Sequence, residues 1–215
     1  ALARAFLELH RAYRQTHERL ASLDEALGRD ESTSAASPWE EVRDFFHYCD
    51  NYIDAVDRAA EHFATQAGDT DPAVRAADLL RARGIEVQMS DMAALRDFSG
   101  STLRLSTRTP TATQRFQLLH QLALLTQNDL LEATLDLARF QSEAARSIAK
   151  IGLANYFAGA ALLPYRAFRA ATLEYRHDLE RLSDRFGASI EQVAHRLSTM
   201  QRPGEKGIPF FFVRV

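Results

Sequence analysis

The chain has 215 residues, 46% of them hydrophobic and 26% charged, with a net charge of −3. That is enough for one substantial core or two small ones, and the balance is that of an ordinary globular domain rather than a disordered or fibrous chain. A single cysteine excludes an internal disulfide and a multi-cysteine metal site, and no apolar run approaches the ~20 residues of a membrane span.

Residues 2–26 read as one amphipathic helix, with Phe6, Leu9, Tyr13, His17, Leu20 and Leu23 at spacings of three and four. The segment also lacks the pattern of a secretory signal. A polar, Ser-rich loop runs from Gly28 to Ser37. Ser37-Pro38-Trp39-Glu40 then starts a second helix, with Ser as cap and Pro in the first turn. Its apolar stripe of Trp39, Val42, Phe46, Cys49, Ile53, Val56, Ala60 and Phe63 predicts one continuous helix and a buried Cys49. A short helix follows Asp71-Pro72 and ends near Gly84.

There the period changes. Ile85, Val87 and Met89 alternate, as do residues 102–107, which predicts two short strands around a loop. Pro110 opens a helix containing His120. After a break at Gln127-Asn128, helices are expected over 129–140, 142–163 and 168–186. Gly187 ends the third, and Ser189 with Gln192 caps a last helix to about Met200. Arg202-Pro203-Gly204 forms a turn before a Phe-rich strand. The expected fold is mainly helical with a small sheet, divided into a helical part over 1–84, with stripes that suit a dimer interface or an intramolecular core equally well, and a second part over 85–215.

Charge is uneven along the chain. Residues 1–70 hold 14 acids against 7 Lys and Arg, whereas residues 139–215 hold 7 acids against 12. A basic C-terminal third hints at an anionic ligand, but on charge alone a solvated, salt-bridged helix surface is the better account.

The helix with His120 carries a metal-peptidase pattern stripped of its chemistry. His-Glu-x-x-His places two imidazoles on one helical face with a general base beside them. Here His120 is followed by Gln121, which cannot take up a proton, and by Leu124, which cannot ligate. A lone histidine of this kind reads as a hydrogen-bonded core residue. His177 and His195 have no partner at ligand spacing, so neither a catalytic nor a metal site is expected.

The stretch Gly152-Leu153-Ala154-Asn155-Tyr156-Phe157-Ala158, followed by Leu162-Leu163-Pro164, resembles the second metal motif of the ImmA/IrrE-like metallopeptidases. There a Glu supplies the third zinc ligand, and Leu153 stands at that place. The resemblance implies a degenerate zincin-like core, no zinc and no peptidase. From Gly152 to Arg214, with Gln201-Arg202-Pro203-Gly204 and Gly207-Ile208-Pro209-Phe210-Phe211, the chain is more closely similar to the short-chain fatty acyl-CoA-responsive Xre-type transcription regulators. The propionate-catabolism group, linked to the methylcitrate cycle, is the nearest. In that family an N-terminal helix-turn-helix binds promoter DNA and a Cys-bearing segment, similar to an iron–sulfur ligand set, follows. The resemblance therefore implies a cytoplasmic homo-oligomeric activator whose DNA-binding and Cys-bearing parts lie outside this stretch, so that a cluster belongs only to a longer chain.

An acyl-CoA ligand needs cations for its phosphates and a dry pocket for its acyl chain. On that reading the candidate binding residues are Tyr156, Phe157, Tyr165, Arg166, Phe168, Arg169, Arg176, His195, Arg196, Arg202, Lys206 and Phe211. Tyr165 and Phe168 share one helical face and Arg166 and Arg169 the next, so the aromatic pair could meet the acyl group and the arginine pair a phosphate; the alternative is that Tyr165 and Phe168 are core packing and the arginines are solvated. The near-absence of side-chain bulk in Ala158-Gly159-Ala160-Ala161 leaves room for a chain beside the backbone. The rival expectation is direct DNA contact by a helix-turn-helix over 172–200, through Gln192, His195, Arg196 and Ser198. No Ser/His/acid arrangement supports a residual hydrolase.

Overall fold

The computed structural model describes residues 37–210. The expected N-terminal helix, Phe211 and most of the expected closing strand lie outside the described residues. Nine helices and three strands follow in order: α1 (Pro38–Tyr48), α2 (Asp54–Gln66), α3 (Pro72–Ala82), β1 (Glu86–Ser90), β2 (Arg96–Ser99), β3 (Thr102–Ser106), α4 (Thr111–Thr126), α5 (Asn128–Ala138), α6 (Glu143–Leu162), α7 (Tyr165–Glu174), α8 (Leu179–Phe186) and α9 (Ile190–Ser198) among the described residues. The fold is mainly helical with a small sheet, as the sequence predicts.

The sheet has the order β1-β3-β2, with β1 parallel to β3 and β2 antiparallel to it. Central β3 turns Leu103 and Leu105 into the core, and its neighbours are edges. Strand β2 was not expected. Arg96-Asp97-Phe98-Ser99 has one apolar residue in four, which is tolerable at an edge where half of the surface is wet.

Helix α6 is the axis of the molecule and packs against α1, α2, α4 and α5. Its buried face is mostly alanine: Ala145, Ala149, Ala154, Ala158 and Ala161. Small side chains let the neighbouring helices approach closely, and Leu119, Leu122, Leu131, Leu135, Leu153 and Phe157 fill the space between them. Each large side chain so buried contributes roughly 1.5–3 kcal/mol. Residue 84, where the sequence places a division, lies between α3 and β1, and residues on both sides contribute to one core.

Two expected helices are broken. The stripe from Trp39 to Phe63 divides into α1 and α2 because Asp50 and Asn51 adopt left-handed backbone, with φ of 52° and 57°. The Asn51 amide then reaches back to the Phe46 carbonyl at 2.8 Å. The helix expected over 168–186 divides in the same way. Arg176 and His177 are left-handed, His177 N donates to Thr172 O at 2.9 Å, and Asp178 caps α8 through Arg181 N. Cys49, at the first break, is half-buried rather than buried; burial, with help from Asp50, pushes its thiol pKa up. Gly187 closes α8 in left-handed backbone, and Ser189 and Gln192 form the expected capping box. No helix among the described residues is long and apolar enough to cross a membrane.

Candidate functional site

The principal cavity, of about 550 Å³, is built on one face of α6. Gly152, Asn155, Tyr156, Gly159 and Ala160 line it, at helical offsets of 0, 3, 4, 7 and 8 from Gly152. Thr113, Phe116 and Gln117 from the start of α4 form a second wall, and α9 with Ser189 and Thr199 forms a third. Phe46 and Asn51 close it from the α1–α2 break. The glycines set its width: a Cβ at Gly152 would lie 3.1 Å from Phe46 Cε2, whereas one at Gly159 would sit 4.0 Å from Phe116 Cε2. A shallower recess of about 450 Å³ shares Asn51 and Ser198 with it and is lined also by His47, Asp50, Lys206 and Phe210.

Beneath the cavity lies a polar floor. His120, 1% exposed, is joined through Nδ1 to Asn155 Oδ1 at 2.6 Å. It is the hydrogen-bonded core histidine that the sequence predicts. Burial, aided by the positive charge of Arg96, pushes its pKa down to about 4, so the ring is neutral at pH 7. Its Nε2 has no hydrogen-bond partner. Arg96 reaches from β2 to Gln117 Oε1 on the cavity wall.

Behind Tyr156 sits a buried charge cluster that sequence reasoning missed. Asp57, fully buried on α2, accepts from Arg196 Nη1 at 2.6 Å, Arg202 Nη2 at 2.9 Å and Tyr156 Oη at 2.9 Å. Arg202 continues to Glu61 at 2.8 Å and takes Tyr52 Oη through Nε at 2.9 Å. Its guanidinium lies 4.0 Å from the Tyr165 ring centroid. Burial opposes the charge on Arg196 and Arg202, but their acidic partners outweigh it and hold both pKa values above the ordinary. The one sequence signal was Asp57 itself, an acid beside Val56 within a stripe that is otherwise apolar.

The expected site residues are thus dispersed. Tyr156, His195 and Arg196 line the principal cavity, and Lys206 lines the recess, with Asp50 at 3.9 Å. Phe157, Tyr165 and Phe168 are fully buried core residues, so the aromatic pair of α7 does not present a surface to an acyl group. Phe168 packs edge-on to Phe186, and the Tyr165 hydroxyl donates to Glu205 O and accepts from Arg202 N. The aromatic side of an amphipathic helix has gone to the core. Arg166 is exposed beside Glu205, and Arg176 is exposed in the left-handed turn. Neither these nor half-buried Arg169 lines either cavity. Arg202 spends its charge on Asp57 and Glu61 instead of facing a phosphate.

Helices α8 and α9 do form a helix-turn-helix pair, but its expected DNA face is used internally. Arg196 is buried, and Gln192 Nε2 donates to Ala112 O at 3.2 Å. His195 remains exposed, on the cavity rim.

The model of the IrrE N-terminal-like domain, a Peptidase_M78 family, matches residues 81–198. The chain is similar to a propionyl-CoA carboxylase regulator of Cereibacter sphaeroides, 74% identical over 216 residues, which covers 100% of this chain and 47% of that protein. It is similar to the HTH-type transcriptional regulator RamB of Mycobacterium tuberculosis, 40% identical over 229 residues, covering 100% of this chain and 47% of RamB. A solved structure of a Mycobacterium tuberculosis transcriptional regulator superposes with a TM-score of 0.76 at 42% identity, over 80% of this chain and 55% of that one. The chain spans about half the length of the curated relatives it matches.

Proposed function

This chain belongs to the IrrE N-terminal-like domain family, and from that footing we propose that it is the effector-binding part of a transcription regulator of propionate-related metabolism, with a short-chain acyl-CoA, propionyl-CoA first, as effector. The observation that carries the reading is the cavity on the glycine and alanine face of α6. Its volume suits a short acyl group with part of its carrier. Tyr156 and Phe116 give apolar walls, and Gly159 leaves the depth. The adjoining recess offers the Lys206 ammonium, beside Asp50, and the His47 ring as a hydrogen-bonding group at the mouth, where the phosphates of a CoA would emerge. The relatives' names support regulation as the role.

Peptidase chemistry has no footing in this reading. The residues present do not fit a zinc ion: Leu124 and Leu153 carry no donor atom, Gln121 is no base, and the charge of Arg96 bears on His120. Among the described residues no three His, Cys, Asp or Glu side chains gather as a metal would require.

By this reading the regulator is cytoplasmic and homo-oligomeric. It meets promoter DNA through a helix-turn-helix outside this stretch and acts as an activator when the ligand favours one arrangement of its parts. Any iron–sulfur cluster belongs to a Cys-bearing segment beyond it. The test is native mass spectrometry of the purified chain with propionyl-CoA. A mass increment of one CoA thioester per chain, displaced by a second acyl-CoA, is expected. No adduct from folded protein at high ligand, together with salt-sensitive binding to promoter DNA, would sink the effector reading.

A further inference from the structure

The polar floor of the cavity is short of partners on two counts. Arg96 is half-buried, and burial pushes its pKa down with no acid to offset it. Its hydrogen bond is to the neutral amide of Gln117. Arg196 and Arg202 hold Asp57, Arg115 holds Asp71 and Arg146 holds Glu132, whereas half-buried Arg75, like Arg96, holds a glutamine; the Gln66 it holds does not line the cavity, and Gln117 does. Independently, His120 Nε2 is buried without a hydrogen bond, in a side chain 1% exposed. The two bear on one face of α4, since Gln117, which Arg96 holds, stands one helical turn before His120. Both reach the cavity through one intermediary: Arg96 through Gln117, His120 through Asn155, and those two amides line it.

An apolar acyl end would leave both deficits standing. A carboxylate would answer the first, because its oxygens accept from Gln117 Nε2 while Arg96, donating to Gln117 Oε1, sets its positive charge behind that amide, and a water held against the carboxylate can donate a hydrogen bond toward His120 Nε2. We infer that Arg96, with Gln117, forms an anion subsite at the floor of the cavity, so that a short acyl thioester ending in a free carboxylate binds there more tightly than its uncharged counterpart. The inference rests on the acyl-CoA reading and names a narrower ligand class for the same cavity. It makes the site a discriminator between a short acyl thioester and its carboxylated form.

Propionyl-CoA and malonyl-CoA are the natural probes, since the second carries a carboxylate where the first has a methyl group. Both are titrated calorimetrically into the 215-residue chain and into Arg96→Gln and Arg96→Lys variants. The native chain is expected to favour malonyl-CoA by about tenfold or more, the scale of a charge-assisted hydrogen bond. Arg96→Gln should bring the ratio near one, and Arg96→Lys should restore part of it. Arg96 lies on an edge strand, so its replacement leaves the core intact, and circular dichroism checks that it does. Equal affinities in the native chain overturn the anion subsite while the acyl-CoA reading stands. A preference that survives Arg96→Gln overturns the role of Arg96. Failure of both thioesters to bind overturns the acyl-CoA reading, and the subsite with it.

Discussion

Replacing Asp57 by Asn keeps the shape of the most crowded buried acid and removes its charge. Asp57 is fully buried and receives two guanidiniums and a phenol at 2.6, 2.9 and 2.9 Å. In the variant, one carboxylate oxygen becomes an NH2 group that points at donors. Arg196 then has the Leu163 carbonyl and Thr199 hydroxyl but no acid, while Arg202 keeps Glu61 and Glu205. Stranding a buried charge by removing its partner costs about 3–5 kcal/mol. A domain of this size has about 5–15 kcal/mol in all, so the loss is a large fraction of the total. Urea unfolding followed by far-ultraviolet circular dichroism reads it as a lower midpoint at an unchanged slope. Because Tyr156 leans on Asp57 and lines the cavity, weaker propionyl-CoA binding should accompany the loss. A cost below about 1 kcal/mol would refute the reasoning, since it would mean that water or Glu61 neutralises Arg196 without Asp57.

Gly159→Leu should leave the fold intact, because a Cβ there meets Phe116 only at 4.0 Å, yet fill the cavity; calorimetry should show propionyl-CoA affinity down at least about tenfold. The pKa of His120 is depressed from 6.5 to about 4 in the folded chain, so the unfolded chain takes up its proton first. This contribution is held above pH 6.5 and is lost progressively as pH falls from 6.5 to about 4, by roughly 3 kcal/mol. His120→Gln should flatten the stability profile in that window, and a profile parallel to the native one would exclude His120 as its cause. Zinc, or a chelator, should not move the melting temperature, because Leu124 and Leu153 offer the ion nothing; a rise of several degrees with zinc would restore the metal site to consideration.

Local chemistry explains what was legible. Gly187 and the Ser189–Gln192 box mark helix ends because their hydrogen bonds close within four residues, and Pro38 marks a start because it has no amide to leave unpaired in a first turn. The breaks at Asp50-Asn51 and Arg176-His177 contain neither Gly nor Pro, and each rests on an amide reaching five residues back, which periodicity does not register. His120 was read correctly because a motif gave it context. Arg196 and Arg202 were read as ligand cations because their partner lies 139 and 145 positions away, and a sequence shows charge without showing what neutralises it. The cavity was visible only as the low bulk of Gly159 and Ala160; its other walls come from α1, α4 and α9, which meet only in three dimensions.

The distance along the chain between Asp57 and its two arginines bears on time as well as on stability. Closing a loop of some 140 residues carries a large chain-entropy cost, so these contacts are expected to form after nearby helices have paired. Contacts absent from the folding transition state scarcely alter how fast a chain folds; they govern how long it stays folded. The Asp57 cluster is in that sense a latch. Its loss in Asp57→Asn is therefore expected to speed unfolding more than it slows refolding, so that the latch governs how long the folded cavity persists.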